Sequence, residues 1–93
     1  MKKYFVYAIQ SQVDERIYVG LSGNPEKRLV SHNKGDTKST KGFRPWRLFY
    51  KKFVGERSEA RQEEKRLKSG AAREFLKTLA SAVNIETAPD IPR

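Results

Sequence analysis

Tyr4-Phe5-Val6-Tyr7-Ala8-Ile9 and Arg16-Ile17-Tyr18-Val19-Gly20-Leu21 decide how the rest of the chain is read. Both stretches are rich in β-branched and aromatic residues, and the polar segment Gln10 to Glu15 separates them, so together they spell an antiparallel hairpin. In the first strand, residues 3 to 9, Tyr4, Val6 and Ala8 fall on one face and Phe5, Tyr7 and Ile9 on the other. Both faces are apolar, the pattern of a central strand covered on both sides. In the second strand, Arg16 to Leu21, the apolar face carries Ile17, Val19 and Leu21, and the opposite face carries Arg16, Tyr18 and Gly20. A connection symmetric about Gln12 and Val13 sets Tyr7 opposite Tyr18, Val6 opposite Val19 and Phe5 opposite Gly20. The tyrosines then stand side by side, with Gly20 leaving room next to them. Such a pair fits core packing with its hydroxyls at the rim, and it also fits a reactive site.

Outward from the hairpin, Asn24-Pro25-Glu26 is a helix start: Asn24 caps, Pro25 suits the first helical position and Glu26 complements the positive dipole end. This helix runs to about Lys34, with Gly35 as its stop and Leu29 and Val30 as its buried side. Arg28 and His32 are four apart and share one face. Lys34 to Pro45 reads as a polar, basic, mobile loop. Trp46 to Phe53 reads as a third strand whose aromatic and basic residues alternate, a pattern that fits a half-buried strand and also fits stacked bases between held phosphates. A second helix spans Ser58, its expected cap, to about Ser69. Its stripe of Ala60, Leu67 and Ala71 includes Glu64, a carboxylate where the pattern calls for an apolar residue. After Ser69-Gly70, a third helix covers Ala71 to Ala82 with Phe75, Leu76 and Leu79 inward. The reading is one domain, residues 1–82, followed by a flexible tail, residues 83–93.

The chain has 93 residues, no cysteine and one histidine. That length allows a single core, and this composition rules out disulfides, thiolate metal sites and a histidine-rich zinc site. No apolar run is long enough to span a membrane and no signal peptide follows Met1, so a cytoplasmic protein without a membrane partner is expected. A net charge of +9 makes nucleic acid the first partner to consider. The basic residues crowd between Lys38 and Lys68, offset there only by Glu56, Glu59, Glu63 and Glu64. Within that run, Lys38, Lys41, Arg44 and Arg47 are the expected nucleic-acid contacts.

Tyr7, Tyr18, Arg28, His32 and Glu64 stand out by position. Each has a bland alternative: packed tyrosines, a solvated arginine, a structural histidine, a rim glutamate paired with Lys68 four residues on. Together they fit phosphodiester hydrolysis, which needs an activated water, a cation against the charge building on the phosphate, and help for the leaving oxygen. His32 is placed to assist a tyrosine hydroxyl, Arg28 offers a planar fork for two phosphate oxygens, and Glu64 suits one Mg²⁺ completed by waters and phosphate oxygens. With no second acidic cluster, a two-metal site is not expected.

These residues carry a resemblance to the GIY-YIG nuclease superfamily, closest to its small stand-alone members of the URI type. Phe5-Val6-Tyr7 stands where that family has G-I-Y, and Tyr18-Val19-Gly20 where it has Y-I-G. Leu21-Ser22, Asn24-Pro25, Arg28-Leu29 and His32-Asn33 match the run through the family's arginine and histidine. The stretch from Lys41 to Tyr50 resembles its loop and third strand, and Arg57 to Lys65 its metal-binding helix. The resemblance implies an α+β domain with a central three-stranded antiparallel sheet flanked by helices. It implies a metal-dependent endonuclease acting on nucleic acid, DNA rather than RNA, with Mg²⁺ or another divalent cation such as Mn²⁺. It assigns Tyr7 as general base, Tyr18 as orienting group, Arg28 as phosphate stabiliser, His32 as support for Tyr7, and Glu64 as metal ligand. The departure is Phe5, where the family has glycine. With no separate DNA-binding domain in the reading, specificity would come from DNA shape, the basic loop or a protein partner. The alternatives are a nucleic-acid-binding module of the same fold that does not cut, and an accessory subunit docking an acidic protein.

Overall fold

The computed structural model describes residues 3–82; the expected tail lies outside them. The order is β1 (Tyr4–Ser11), β2 (Ile17–Ser22), α1 (Pro25–Lys34), α2 (Lys38–Lys41), β3 (Trp46–Gly55), α3 (Arg57–Leu67) and α4 (Gly70–Ala82). The strands form one antiparallel sheet in the order β2-β1-β3. β1 is central and Val6 to Ile9 are all buried, as its two apolar faces predict. Val6, Ala8 and Val19 join Phe49, the α3 residues Ala60 and Leu67, and Leu76 of α4 in one core. On the opposite face Tyr7, Ile9 and Trp46 form a second, smaller core with Tyr18, Leu29, Phe43 and Leu48 at its margins. None of the helices among the described residues is long and apolar enough to cross a membrane.

The hairpin register differs from the symmetric pairing. Tyr7 stands opposite Gly20, Ala8 opposite Val19, and Tyr18 opposite Ile9. The cause is Ser11, which remains paired at the strand end: its N–H donates to the Arg16 carbonyl at 2.9 Å, and its hydroxyl oxygen accepts from the N–H groups of Val13 and Asp14. The turn is therefore centred between Val13 and Asp14. Each partner moves by two residues, the period of a strand, so every side chain keeps its face. Tyr7 and Tyr18 still share a face, now as diagonal neighbours.

Other differences have local causes. Lys34 to Pro45 is not an irregular loop, because α2 lies inside it, anchored by the buried Thr40. The cap of α3 is Glu56 rather than Ser58, and the Glu59 carboxylate accepts from the Glu56 N–H at 3.3 Å. In α1 the buried residues are Pro25 and His32, while Val30 is exposed and Leu29 is partly covered. The break at Ser69 resets the phase of α4. Ala72, Leu76 and Ala80, four apart, face the core. Ala71 and Phe75 turn outward, although the Phe75 ring meets Tyr50 edge-on at 6.2 Å.

Candidate active site

α1 begins as its sequence demands. The Asn24 side chain accepts from the Lys27 N–H at 3.1 Å, Pro25 occupies the first turn, and Gly35 ends the helix at φ 87°. Its far end is clamped to β3: the Trp46 N–H donates to Asn33 Oδ1 at 2.7 Å, and Asn33 Nδ2 donates to the Trp46 carbonyl at 3.1 Å. Held at both ends, α1 delivers His32 under the sheet and Arg28 to its rim.

His32 is fully buried. The Tyr7 hydroxyl lies 2.9 Å from its Nε2 and the Thr40 hydroxyl 2.8 Å from its Nδ1. Hydrogen-bond bookkeeping orients this chain. The single Thr40 hydroxyl proton goes to the Thr37 carbonyl at 3.3 Å. Thr40 Oγ1 must then accept from His32 Nδ1–H, which leaves Nε2 bare to accept the Tyr7 proton. Burial, with the nearby Arg28 charge, lowers the His32 pKa and keeps the ring neutral, as this tautomer requires. The Tyr7 phenol is pushed up to about 12, chiefly by burial and then by Tyr18, against the opposing pull of Arg28. Tyr7 is thus a neutral phenol whose proton points at an unprotonated imidazole. Tyr18 packs its ring edge against the same histidine at 5.1 Å.

Gly20 has a steric reason. A Cβ there would sit 2.8 Å from the Tyr7 hydroxyl oxygen and 3.2 Å from Tyr18 Cε2. Only a residue without a side chain lets both rings lie across β2. Phe5 does not crowd them: its ring leans toward β3 and meets Phe53 edge-on at 5.4 Å.

Tyr7, Tyr18 and Gly20 open onto a cleft of about 360 Å³, whose walls also include Arg28 and Glu64. Glu64 is 9% exposed, and its carboxylate accepts from Arg61 at 3.4 Å and Lys68 at 3.1 Å. The misfit in the helical stripe is therefore a carboxylate on the wall of the same cleft as the tyrosines. His32 stands behind Tyr7 and does not line the cleft. Arg57 and Arg61 do, and the sequence reading passed over them as part of a general basic run. Their spacing to Glu64 on one helix face (57, 61, 64) is the signal that would have found them. Thr40 was missed as well, since nothing local marks a threonine in a basic segment as a histidine partner.

The four expected nucleic-acid contacts lie elsewhere. Lys38 and Lys41 are exposed on α2, and Arg44 is exposed just after it, its Nε donating to the Lys41 carbonyl at 2.8 Å. Arg47 is half-buried and donates to Gln10 Oε1 and the Ala80 carbonyl, both at 2.7 Å, bonds that tie β3 to β1 and α4. None of the four lines the cleft.

Among the described residues no three acidic or histidine side chains cluster to hold a metal. The cleft offers one hard carboxylate, Glu64. That donor set does not suit a structural metal, but it fits Mg²⁺, which keeps several waters and takes phosphate oxygens from substrate.

Residues 3–75 match the family model described as the GIY-YIG catalytic domain. A UPF0213 protein of Oceanobacillus iheyensis is 38% identical over 80 residues, covering 84% of this chain and 91% of the relative. A UPF0213 protein of Staphylococcus haemolyticus is 34% identical over 80 residues, covering 85% and 96%. The solution NMR structure of a UPF0213 protein from Bacillus halodurans is similar with a TM-score of 0.50 and 28% identity, over 83% of this chain and 84% of that one.

Proposed function

The chain belongs to the GIY-YIG catalytic-domain family, a nuclease-type family, and we propose that it is a divalent-metal-dependent endonuclease hydrolysing nucleic-acid phosphodiester bonds, with DNA as the preferred substrate. One observation carries the reading: the proton chain Tyr7–His32–Thr40 opens onto a cleft walled by arginines and a single buried carboxylate.

In this mechanism Tyr7 takes a proton from the attacking water while its own proton passes to His32 Nε2. A phenol with a pKa near 12 holds almost no charge at neutral pH, so the two transfers are coupled. Thr40 keeps the imidazole in the accepting tautomer. Tyr18, beside Tyr7 on the cleft wall, orients the water or the phosphate. Arg28 neutralises charge on the non-bridging oxygens, and Arg57 and Arg61 draw the polyanion in. Glu64 is the residue that would hold Mg²⁺, which when bound supplies Lewis-acid stabilisation of phosphoryl charge. Arg61 and Lys68, now on that carboxylate, would exchange it for substrate oxygens.

The decisive measurement is cleavage of duplex, single-stranded and branched DNA, and of RNA, with Mg²⁺ and with chelator. Chelator should abolish activity, Tyr7→Phe should lower it by about 10²–10⁴-fold, and Glu64→Ala should remove it. Glu63→Ala should leave it intact, since Glu63 points instead to Arg66 and Lys52. Cleavage undiminished by Tyr7→Phe, or remaining after Glu64→Ala, overturns the mechanism. A non-cutting binding module is favoured by one feature, the occupation of both Glu64 oxygens by cationic partners. It predicts salt-dependent binding with no cleavage on any of these substrates.

A further inference from the structure

Among the described residues, Glu64 is the only acidic side chain on the cleft wall, and Arg28, Arg57 and Arg61 share that wall with it. Both of its oxygens are taken. Arg61, three residues before it on α3, donates to Oε1 at 3.4 Å, and Lys68, four residues after it, donates to Oε2 at 3.1 Å. The carboxylate is buried, whereas the side chains of Arg61 and Lys68 are each 53% exposed. A buried anion is thus clamped by two cations on long, solvent-facing stems. Neither cation has another acidic partner among the described residues. In the free protein a divalent ion therefore meets two obstacles. Each oxygen must first lose a cationic partner, and the wall itself is net positive, three arginines against one glutamate. A nucleic-acid strand removes both obstacles. Its phosphates reverse the local charge and give Arg61 and Lys68 a competing anion. Their oxygens also complete a coordination shell that one carboxylate cannot fill.

We propose that the cleft admits its divalent ion together with nucleic acid and not before it, because Arg61 and Lys68 close Glu64 to metal until phosphates draw them off. The inference rests on the nuclease reading for Glu64 as the metal ligand. By linkage, the ion strengthens nucleic-acid binding by the same factor by which nucleic acid strengthens ion binding. Lys68 does not line the cleft, so it sets the affinity for metal from outside it, through the second carboxylate oxygen.

Binding of Mn²⁺, read from the loss of the free-ion electron paramagnetic resonance signal, tests this without cleavage. The ion is titrated into the intact protein alone and with a short phosphorothioate DNA duplex that resists cutting. Glu64→Gln protein under the same conditions subtracts ions held by the DNA itself. The duplex should raise the Glu64-dependent affinity about tenfold or more, within the usual range of coupling between two sites. Lys68→Gln, at an exposed position that ends α3, should let the free protein bind Mn²⁺ more tightly than the parent does, and Arg61→Gln with Lys68→Gln more tightly still, with the effect of the duplex reduced to match. Lys65→Gln makes the same change of charge on an exposed turn of α3 and should leave Mn²⁺ binding as in the parent. Equal Mn²⁺ affinity of the intact protein with and without duplex overturns the proposal. So does a folded Lys68→Gln protein that binds like the parent, or a Lys65→Gln protein that gains as much. If the coupling appears and is lost as described but no substrate is cut, the clamp stands and the nuclease reading falls. If Mg²⁺-dependent cleavage is found and the free protein already holds the ion tightly, the nuclease reading stands and the clamp falls.

Discussion

Thr40 shows how much one hydroxyl can decide. It is buried and sits between the Thr37 carbonyl and His32 Nδ1, so it selects which imidazole nitrogen faces Tyr7. Thr40→Val keeps the shape and removes the acceptor. His32 Nδ1–H is then left unpaired in a buried place, which costs about 1–3 kcal/mol, and the ring can present Nε2–H to Tyr7 instead. Cleavage should fall sharply in Thr40→Val and recover in Thr40→Ser, which restores the oxygen. NMR of the imidazole nitrogens separates this from a general loss of packing: the tautomer signature should change in the valine variant and return in the serine variant. The same dependence on single atoms explains Gly20, whose missing Cβ is what both tyrosine rings occupy.

Among the elements, α1 is the one on which the site turns. It presents Arg28 and His32 together, and its orientation is set by the Asn24 cap at one end and the Asn33 clamp on Trp46 at the other. Asn24→Ala removes an N-cap bond at an exposed helix start and should cost about 1 kcal/mol in chemical denaturation. Because the Asn33 clamp remains, cleavage by the folded fraction should stay near that of the parent. A large drop in activity at unchanged stability would mean that the cap, not the clamp, aims Arg28. α3 carries the opposite wall. Its core residues Ala60 and Leu67 bracket Glu64, so the helix that packs the sheet also holds the carboxylate in place.

For the molecule as a whole, the buried pair Tyr7 and His32 links stability to pH at both ends. His32 titrates below its ordinary 6.5 when folded. The unfolded chain therefore binds a proton that the folded chain refuses, and stability present above pH 6.5 is lost as pH falls through the window beneath it. Tyr7 moves the other way, from 10.0 to about 12. Its contribution is complete below pH 10.0 and is lost as pH rises from there toward 12. Denaturation midpoints against pH should show both shoulders, and Tyr7→Phe should remove the alkaline one. Cleavage should share the acid shoulder, since a protonated imidazole cannot accept the Tyr7 proton.

Much of this was legible in the residues. The period-two alternation of Tyr4 to Ile9 and Ile17 to Leu21 places Tyr7 and Tyr18 on one face in the symmetric register and in the observed one alike, because a slip of two residues preserves it. Asn24, Pro25 and Gly35 bound α1 by backbone chemistry that acts within a few residues. Glu64 announces itself as a carboxylate in an apolar stripe. These signals are local. Contacts between distant segments are not, and they decided the rest. Ser11 reaches the Phe43 carbonyl as well as its own turn and so sets the register that puts Gly20, not Tyr18, opposite Tyr7. Thr40, eight residues from His32, becomes its partner only because a short helix folds back under α1. Arg57 and Arg61 reach the cleft while Lys38, Lys41, Arg44 and Arg47 do not, since charge along a chain says nothing about which side chains packing will turn toward one cavity.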